Sequence, residues 1–240
     1  VPASIYRENT LVRTIIHIGQ HKTGTTSIQH FLQHNKAKLA SAGLYVPESI
    51  AGHYDPSHYI LNVYALNENR YSPMKEHLSK TMPKEFFQGL RAQILADIHR
   101  HYMQAESLGC KDVIWSNEGL YLLNSTEEYK RLRDLFSPYS SEIECVCCFR
   151  ELASYKRSYA QHLTKLGLTP SEDTDSYRYL ASDSWLFDYA GKEQLLEKVF
   201  DRVISFPYNP EDNVKSFMDQ IGYPVDDTAS IRLNVSEPAN

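Results

Sequence analysis

A chain of 240 residues with 42% hydrophobic content buries one good core and suits a single α/β domain spanning 1–240. Its net charge of −5 argues against nucleic acid as a general partner, which asks for a basic face, although a local positive site inside an acidic protein still holds an anion. No run of eighteen apolar residues occurs, so no transmembrane segment is expected.

The first β-prone run, Arg13-Thr14-Ile15-Ile16-His17-Ile18, breaks into Gly19-Gln20-His21-Lys22-Thr23-Gly24-Thr25-Thr26. A helix is expected from about Thr25 to Ala42, stopped by Gly43. A strand that turns through glycines into a helix aims backbone N–H groups and the positive end of the helix dipole at one spot. Lys22 adds a mobile cation there and Thr23, Thr25 and Thr26 add hydroxyl donors. The result is an anion cradle for a phosphate or a sulfate ester.

Leu44 to Pro47 reads as a short second strand. Residues 48–83 are rich in His, Tyr, Asn and Pro and read as irregular; His53 and His58, within Gly52-His53-Tyr54-Asp55-Pro56-Ser57-His58-Tyr59, suit sugar hydroxyls and rings. A helix is expected over Lys84–Ser107, a strand over Asp112–Ser116 and a helix over Thr126–Phe136. The strand Ile143–Phe149 then runs into Arg150 and a helix that carries Ser158 and reaches Lys165. A polar loop over 167–182, a helix over Asp183–Val199, a strand over Arg202–Phe206 and a helix over Glu211–Ile221 complete the pattern. Strands alternating with helices imply a three-layer α/β/α fold with a central parallel sheet. Ligands of such sheets bind at the C-terminal strand ends, where Gly19–Thr26, Ser116–Glu118 and Arg150 all fall.

Three of the four cysteines, Cys145, Cys147 and Cys148, share one strand, with Cys148 facing away from the other two; Cys110 stands apart. They read as small apolar packing in a reducing compartment, with no ligand cluster at zinc spacing and hence no metal site. The chain's first residues carry no signal-peptide core, so a cytoplasmic location is expected. The triplets at Asn124 and Asn234 would matter only in a secretory compartment, and a Golgi-lumenal catalytic domain is the alternative.

The order of residues in the first loop decides what kind of cradle it is. A nucleoside-triphosphate loop reads G-x-x-x-x-G-K-[ST], whereas Lys22 here precedes Gly24. Arg150 and Ser158, eight residues apart, are an arginine at a strand end and a serine two turns into the next helix. A planar guanidinium fork and a hydroxyl so spaced converge on one phosphate.

Lys22-Thr23-Gly24-Thr25-Thr26 after a strand, followed downstream by the strand, Arg150 and Ser158 arrangement, resembles the cofactor site of PAPS-dependent sulfotransferases (PAPS is 3′-phosphoadenosine 5′-phosphosulfate). The reading His-Lys-Thr-Gly-Thr-Thr-Ser is closest to bacterial-type and carbohydrate sulfotransferases, which have a P-loop NTPase-like fold. Ser27 stands where animal phenol and steroid enzymes have a tryptophan, so an aromatic adenine contact is absent there or supplied from elsewhere.

The resemblance implies a 5′-phosphosulfate loop made by Gln20, His21, Lys22, Thr23, Gly24, Thr25, Thr26 and Ser27, and a 3′-phosphate site made by Arg150 and Ser158. Arg232 falls where the family has a late basic loop, although the usual Arg-Lys-Gly form is missing. Lys22 is the expected stabiliser of the transferring group. Glu118, leaving the third strand, is the first choice for the base and His21 the second. The implied reaction moves a sulfuryl group from PAPS to an acceptor hydroxyl, with a carbohydrate favoured, releases PAP and requires no metal. Two rivals stay open: a P-loop kinase using ATP and magnesium, and a non-catalytic nucleotide-binding module.

Overall fold

The computed structural model of the chain describes residues 11–225. Its elements in chain order are β1 (Val12–His17), α1 (Thr25–His34), α2 (Lys36–Ser41), β2 (Leu44–Tyr45), β3 (Ser49–Ile50), β4 (His53–Tyr54), α3 (Ile60–Ala65), α4 (Pro73–Thr81), α5 (Lys84–Ser107) and β5 (Asp112–Ser116). A 3₁₀ turn (Glu118–Leu122) follows, then α6 (Thr126–Asp134), β6 (Ser140–Phe149), α7 (Leu152–Lys165), α8 (Tyr189–Glu197), β7 (Arg202–Pro207) and α9 (Asn213–Gln220).

Every β-prone run expected from the sequence enters one parallel sheet, in the order β2-β5-β1-β6-β7. Side chains alternate strictly along these strands. Ile15, Ile114, Val146 and Cys148 pack on one layer with α1 and α9. Ile16, Val113, Trp115, Cys145 and Cys147 pack on the other with α5, α6 and α7. This is the three-layer α/β/α architecture, and the cysteines divide between its faces as their alternation demands. At the opposite end of the sheet from the glycine loop, Arg13 binds Asp112 at 2.6 Å and Glu144 at 3.2 Å, tying β5, β1 and β6 together.

Three stretches differ from the sequence expectation. The first helix is interrupted at Asn35, whose side-chain amide donates to Phe31 O at 2.9 Å, a local bond that competes with continued helix. Residues 48–83 are not irregular: they form the β3–β4 hairpin and the helices α3 and α4. Helix α4 has an ordinary start, with Ser72 Oγ accepting from Lys75 N at 3.2 Å and Pro73 at the first position. The helix expected from Asp183 begins only at Tyr189, because Asp188 is the cap, its Oδ1 accepting from Gly191 N at 2.9 Å. Leu186 and Phe187 before it are buried in the core instead.

Behind the sheet's β5 end lies a buried ion pair between Arg70 and Glu128, which are 6% and 0% exposed. Glu128 also accepts from Asn67 N at 2.8 Å and Asn124 N at 2.9 Å, so it closes two loops at once. Replacing it by Gln strands a buried guanidinium, and the expected loss of unfolding free energy is about 3–5 kcal/mol. Glu48→Ala, which breaks an exposed pair with Lys36, should cost under about 1 kcal/mol. Urea unfolding of both variants checks the contrast.

Candidate active site

The glycine loop is an extension of the β1–β6 pairing. Ile18 N donates to Val146 O at 3.0 Å, Cys148 N to Gly19 O at 2.8 Å and Gln20 N to Cys148 O at 3.3 Å. The ladder thus carries the chain past the end of β1 before it turns. Thr23 Oγ1 donates to Gln20 O at 2.6 Å, and Asn213 Nδ2, from the start of α9, donates to Thr23 O at 2.7 Å. These bonds fix the loop from below and from the side. At the start of α1, Ser27 N and Ile28 N donate to Gly24 O at 3.0 and 3.3 Å, while the N–H groups of Thr25 and Thr26 have no acceptor within the helix.

Two glycines are demanded by geometry. Gly24 caps α1 at φ +71°, and a Cβ there would lie 2.8 Å from Asn213 Nδ2. Gly19, at φ +96°, would place a Cβ 2.9 Å from Glu118 Cα. Its lack of a side chain brings the Glu118 turn directly against the loop. Lys22 also adopts a left-handed backbone, at φ +66°, a strained state for a residue with a side chain. Burial first, then Lys165 and Arg150, lowers its pKa from the ordinary value.

Arg150 is held at four points. Its backbone N donates to Gln20 Oε1 at 3.1 Å and its O accepts from Tyr189 Oη at 2.8 Å. Nη1 donates to Lys22 O at 3.0 Å and to Ser158 Oγ at 3.5 Å, and Nε donates to Ser154 Oγ at 2.8 Å. Arg150, Ser154 and Ser158 therefore share one face of the α7 start, and the glycine loop lies beside them. Lys156 and Arg157 point elsewhere: Lys156 sits 4.8 Å from the Phe187 ring centroid, and Arg157 is exposed.

Glu118 is half-buried at the start of the 3₁₀ turn, and its Oε2 accepts from Gln29 Nε2 at 2.7 Å. His21 is directed away from it, towards α7, with Tyr159 at 5.8 Å and His162 at 6.2 Å between ring centroids. The His21 Nδ1 is enclosed with no partner among the described residues. Burial, then the neighbouring His162 and Lys22, pulls its pKa down to about 3, which makes it a poor proton acceptor. His17 is buried in β1 with Nδ1 2.8 Å from Ser116 Oγ, and burial lowers its pKa to about 3. His58 is also structural: Nδ1 accepts from Ser116 N at 3.0 Å, and Nε2 donates to Pro47 O at 3.1 Å. His53, bonded through Nδ1 to Tyr59 Oη at 2.6 Å, stays half-exposed on the hairpin.

Of the residues expected in the cofactor loop, Gln20 and Thr23 have their side chains committed to the protein. Gln20 is fully buried, with Nε2 donating to Tyr121 Oη at 3.2 Å. It thereby joins the loop, Arg150 and the Glu118 turn. Thr25 and Ser27 lie nearly buried, and Thr26 half-exposed, in the first turn of α1. Arg232 and the Asn234 triplet lie outside the described residues. Four site residues escaped the sequence reading. Ser154 was legible, being four residues from both Arg150 and Ser158 on one helical face. Gln29, Tyr208 and Asn213 carry no local signal. Tyr208 lies 3.6 Å from the Gly24 Cβ position, with Arg150 Cζ 5.7 Å from its ring centroid.

No protein-family model and no curated protein sequence matches the chain. Among solved structures, a sulfotransferase from Alicyclobacillus acidocaldarius is similar over 93% of this chain and 86% of its own, at TM-score 0.52 and 16% identity. The chain has the sulfotransferase fold. The sulfotransferase domain from the curacin biosynthetic pathway is similar over 90% of this chain and 75% of its own, at TM-score 0.48 and 14% identity. Within this sulfotransferase fold the loop after β1 and the α7 start after β6 stand on neighbouring strands. No helix among the described residues is long and apolar enough to cross a membrane.

Two outcomes are expected from the site's internal bonds. Gln20→Leu leaves the Arg150 N–H without its acceptor and removes the donor to the Tyr121 hydroxyl, which keeps its own bond to Leu186 O; it should cost about 1–3 kcal/mol, read as a lower thermal midpoint. Buried neutral His17, His21 and His58 have folded pKa values of about 3, 3 and 4, against an ordinary 6.5. Unfolding therefore takes up protons below pH 6.5, so the urea midpoint should fall as pH drops from 6.5 towards 4.

Proposed function

We propose that this protein is a PAPS-dependent sulfotransferase, residues 1–240 acting as one domain, that transfers a sulfuryl group to a carbohydrate hydroxyl. The observation that carries the reading is the junction at Arg150, whose Nη1 reaches both Lys22 O and Ser158 Oγ. One guanidinium thereby bridges two anion-binding segments, as a ligand with two separated phosphate groups requires. The make-up of the cradle supports such a ligand: Gly24, where a Cβ would lie 2.8 Å from Asn213 Nδ2, lets the loop close against α9, and the polar groups beside it are cations, hydroxyls and a helix N-terminus.

PAPS, when bound, supplies the sulfuryl group and a phosphate leaving group. The first-turn N–H groups at Thr25 and Thr26 hold the 5′-phosphate; Arg150, Ser154 and Ser158 hold the 3′-phosphate. Tyr208, beside both Gly24 and Arg150, offers the aromatic face for adenine that Ser27 does not. With the cofactor bound, Lys22 would place a cation beside the phosphate leaving group. Glu118 would take the proton of the acceptor hydroxyl, and Gln29, bonded to Oε2, leaves Oε1 free to do so. Water exclusion and alignment supply the remainder, as in phosphoryl transfer.

The segment next to Glu118 supports a carbohydrate as the acceptor. Asn117 Nδ2 donates to Ser57 Oγ at 2.6 Å, and His58 N donates to Ser116 O at 2.9 Å. These bonds draw the hairpin segment with His53, Asp55 and Tyr59 to the rim of the same strand end. Tyr54, 81% exposed, adds a flat ring of the kind that stacks on sugars.

Calorimetric titration with PAP, beside ATP with magnesium, tests the reading. Wild type should bind PAP without a metal ion, and Arg150→Ala should lose that binding by a factor of roughly 10–100, the worth of a charged hydrogen bond or two. ATP binding in place of PAP would identify a kinase. Glu118→Gln should keep PAP affinity and lose turnover by roughly 10²–10⁴, measured as PAP released from PAPS; unchanged turnover would remove Glu118 from the role of base.

A further inference from the structure

Behind the turn that bears Glu118 stands a buried lysine that forms no ion pair among the described residues. Lys192, on α8, is 3% exposed. Its ammonium donates to Leu123 O at 2.6 Å, Tyr121 O at 3.1 Å and Tyr129 Oη at 3.3 Å, so all three of its N–H groups are used. The rings of Tyr121, Trp185 and Tyr129 surround it, with centroids 4.8, 5.2 and 5.4 Å away. An apolar side chain would fill that space without the desolvation cost of a buried ammonium. The carbonyls of Tyr121 and Leu123 lie at the C-terminal end of the 3₁₀ turn Glu118–Leu122, where backbone acceptors lack donors within the turn and carry partial negative charge. Glu118 occupies the other end of the same turn, against Gly19.

We propose that Lys192 is a positioning residue for catalysis: its three N–H donors clamp the end of the turn and so set where Glu118 stands against the glycine loop. The inference rests on the reading of Glu118 as the base. Tyr121 extends the clamp, since its hydroxyl donates to Leu186 O at 3.0 Å and accepts from Gln20, which in turn holds Arg150. A neutral amine has two N–H groups and a lone pair, so loss of its proton abandons one of the three acceptors.

The titratable and charged groups facing Lys192 are Tyr121 from the turn, Tyr129 and Glu128 from α6, Cys145 and Cys147 from β6, and Arg70 from the segment before α4. Burial, aided by the positive charge of Arg70, outweighs Cys147, Glu128 and Cys145 and draws the lysine down to about 7. The clamp therefore loosens as pH rises through neutrality.

Hydrogen exchange of the wild-type protein, corrected for the intrinsic pH dependence of the amides, is the deciding experiment. Protection of residues 118–124 should fall by roughly tenfold between pH 6 and pH 9, as a group titrating near 7 changes state, while α1 and β6 hold theirs. Lys192→Met should show the low protection at both pH values. It should also release PAP from PAPS, with water as the acceptor, on the order of 10²-fold more slowly, keep the wild-type affinity for PAP, and show a flat pH profile above pH 7, where the turnover of wild type should decline as Lys192 loses its proton.

Equal wild-type protection at the two pH values would overturn the proposal, and that measurement needs no variant to fold. A Lys192→Met protein with wild-type turnover and pH profile would overturn it too. Failure of wild type to bind PAP sinks the sulfotransferase reading by itself, whereas the exchange comparison still decides whether Lys192 holds the turn.

Discussion

The site depends on one backbone pairing that outruns its strands. Parallel β1 and β6 continue to exchange hydrogen bonds through Gly19 and Gln20 on one side and Cys148 on the other. Gln20 then adds a side-chain bond to Arg150 N, which prolongs the ladder by a further rung. Because the two strands are adjacent and parallel, the loop after one and the helix start after the other must emerge side by side. Two segments 130 positions apart in the chain become neighbours, and the Arg150 guanidinium then crosses between them to Lys22 O. The strand order runs outward in opposite directions from β1, to β5 and β2 on one side and to β6 and β7 on the other, and ligands of open α/β sheets bind at such a switch point.

The other half of the site is brought in by absence of bulk. Glu118 approaches the loop because Gly19 has no Cβ, and Gln29 then fixes one of its oxygens. The turn that carries it is supported from below by charges that never reach solvent: Arg70 donates to Leu122 O at 3.0 Å, and Lys192 to the carbonyls on either side of that residue. Buried cations on backbone carbonyls are an expensive way to hold a turn, and they cluster under this one. Lys22, Thr26, Arg150, Ser154 and Ser158, by contrast, stay half-exposed.

Much of the fold was legible because its signals are local. Every expected β-prone run, and the long helix over Lys84–Ser107, depend on apolar periodicity and on glycine stops that act within a few residues. The segment 48–83 was misread because its helices are short and its polar residues are inward-facing: Asn62 and Ser72 are buried and bonded to each other at 2.6 Å, and His58 spends both ring nitrogens on backbone groups. A polar composition is read as solvent-facing until the partners are known. The candidate site was legible in part for the same reason. Lys22, Arg150 and Ser158 sit in short, ordered motifs, whereas Tyr208 and Asn213 reach the loop from a part of the chain whose own sequence announces nothing.

The sequence by itself determined the alternation of strands and helices, the glycine turn with its cation, and the arginine–serine spacing, since each is a matter of steric and hydrogen-bonding preference over a handful of neighbours. Only the tertiary structure decided which of the many polar side chains are free to act. It spent Gln20, Thr23, His17 and His58 on holding backbone, turned His21 towards α7, and set Glu118 beside the loop with Lys192 behind its turn. Those assignments depend on which groups become buried together, because a buried donor or acceptor must find a partner, and for Gln20, His17, Glu118 and Lys192 that partner lies far away along the chain.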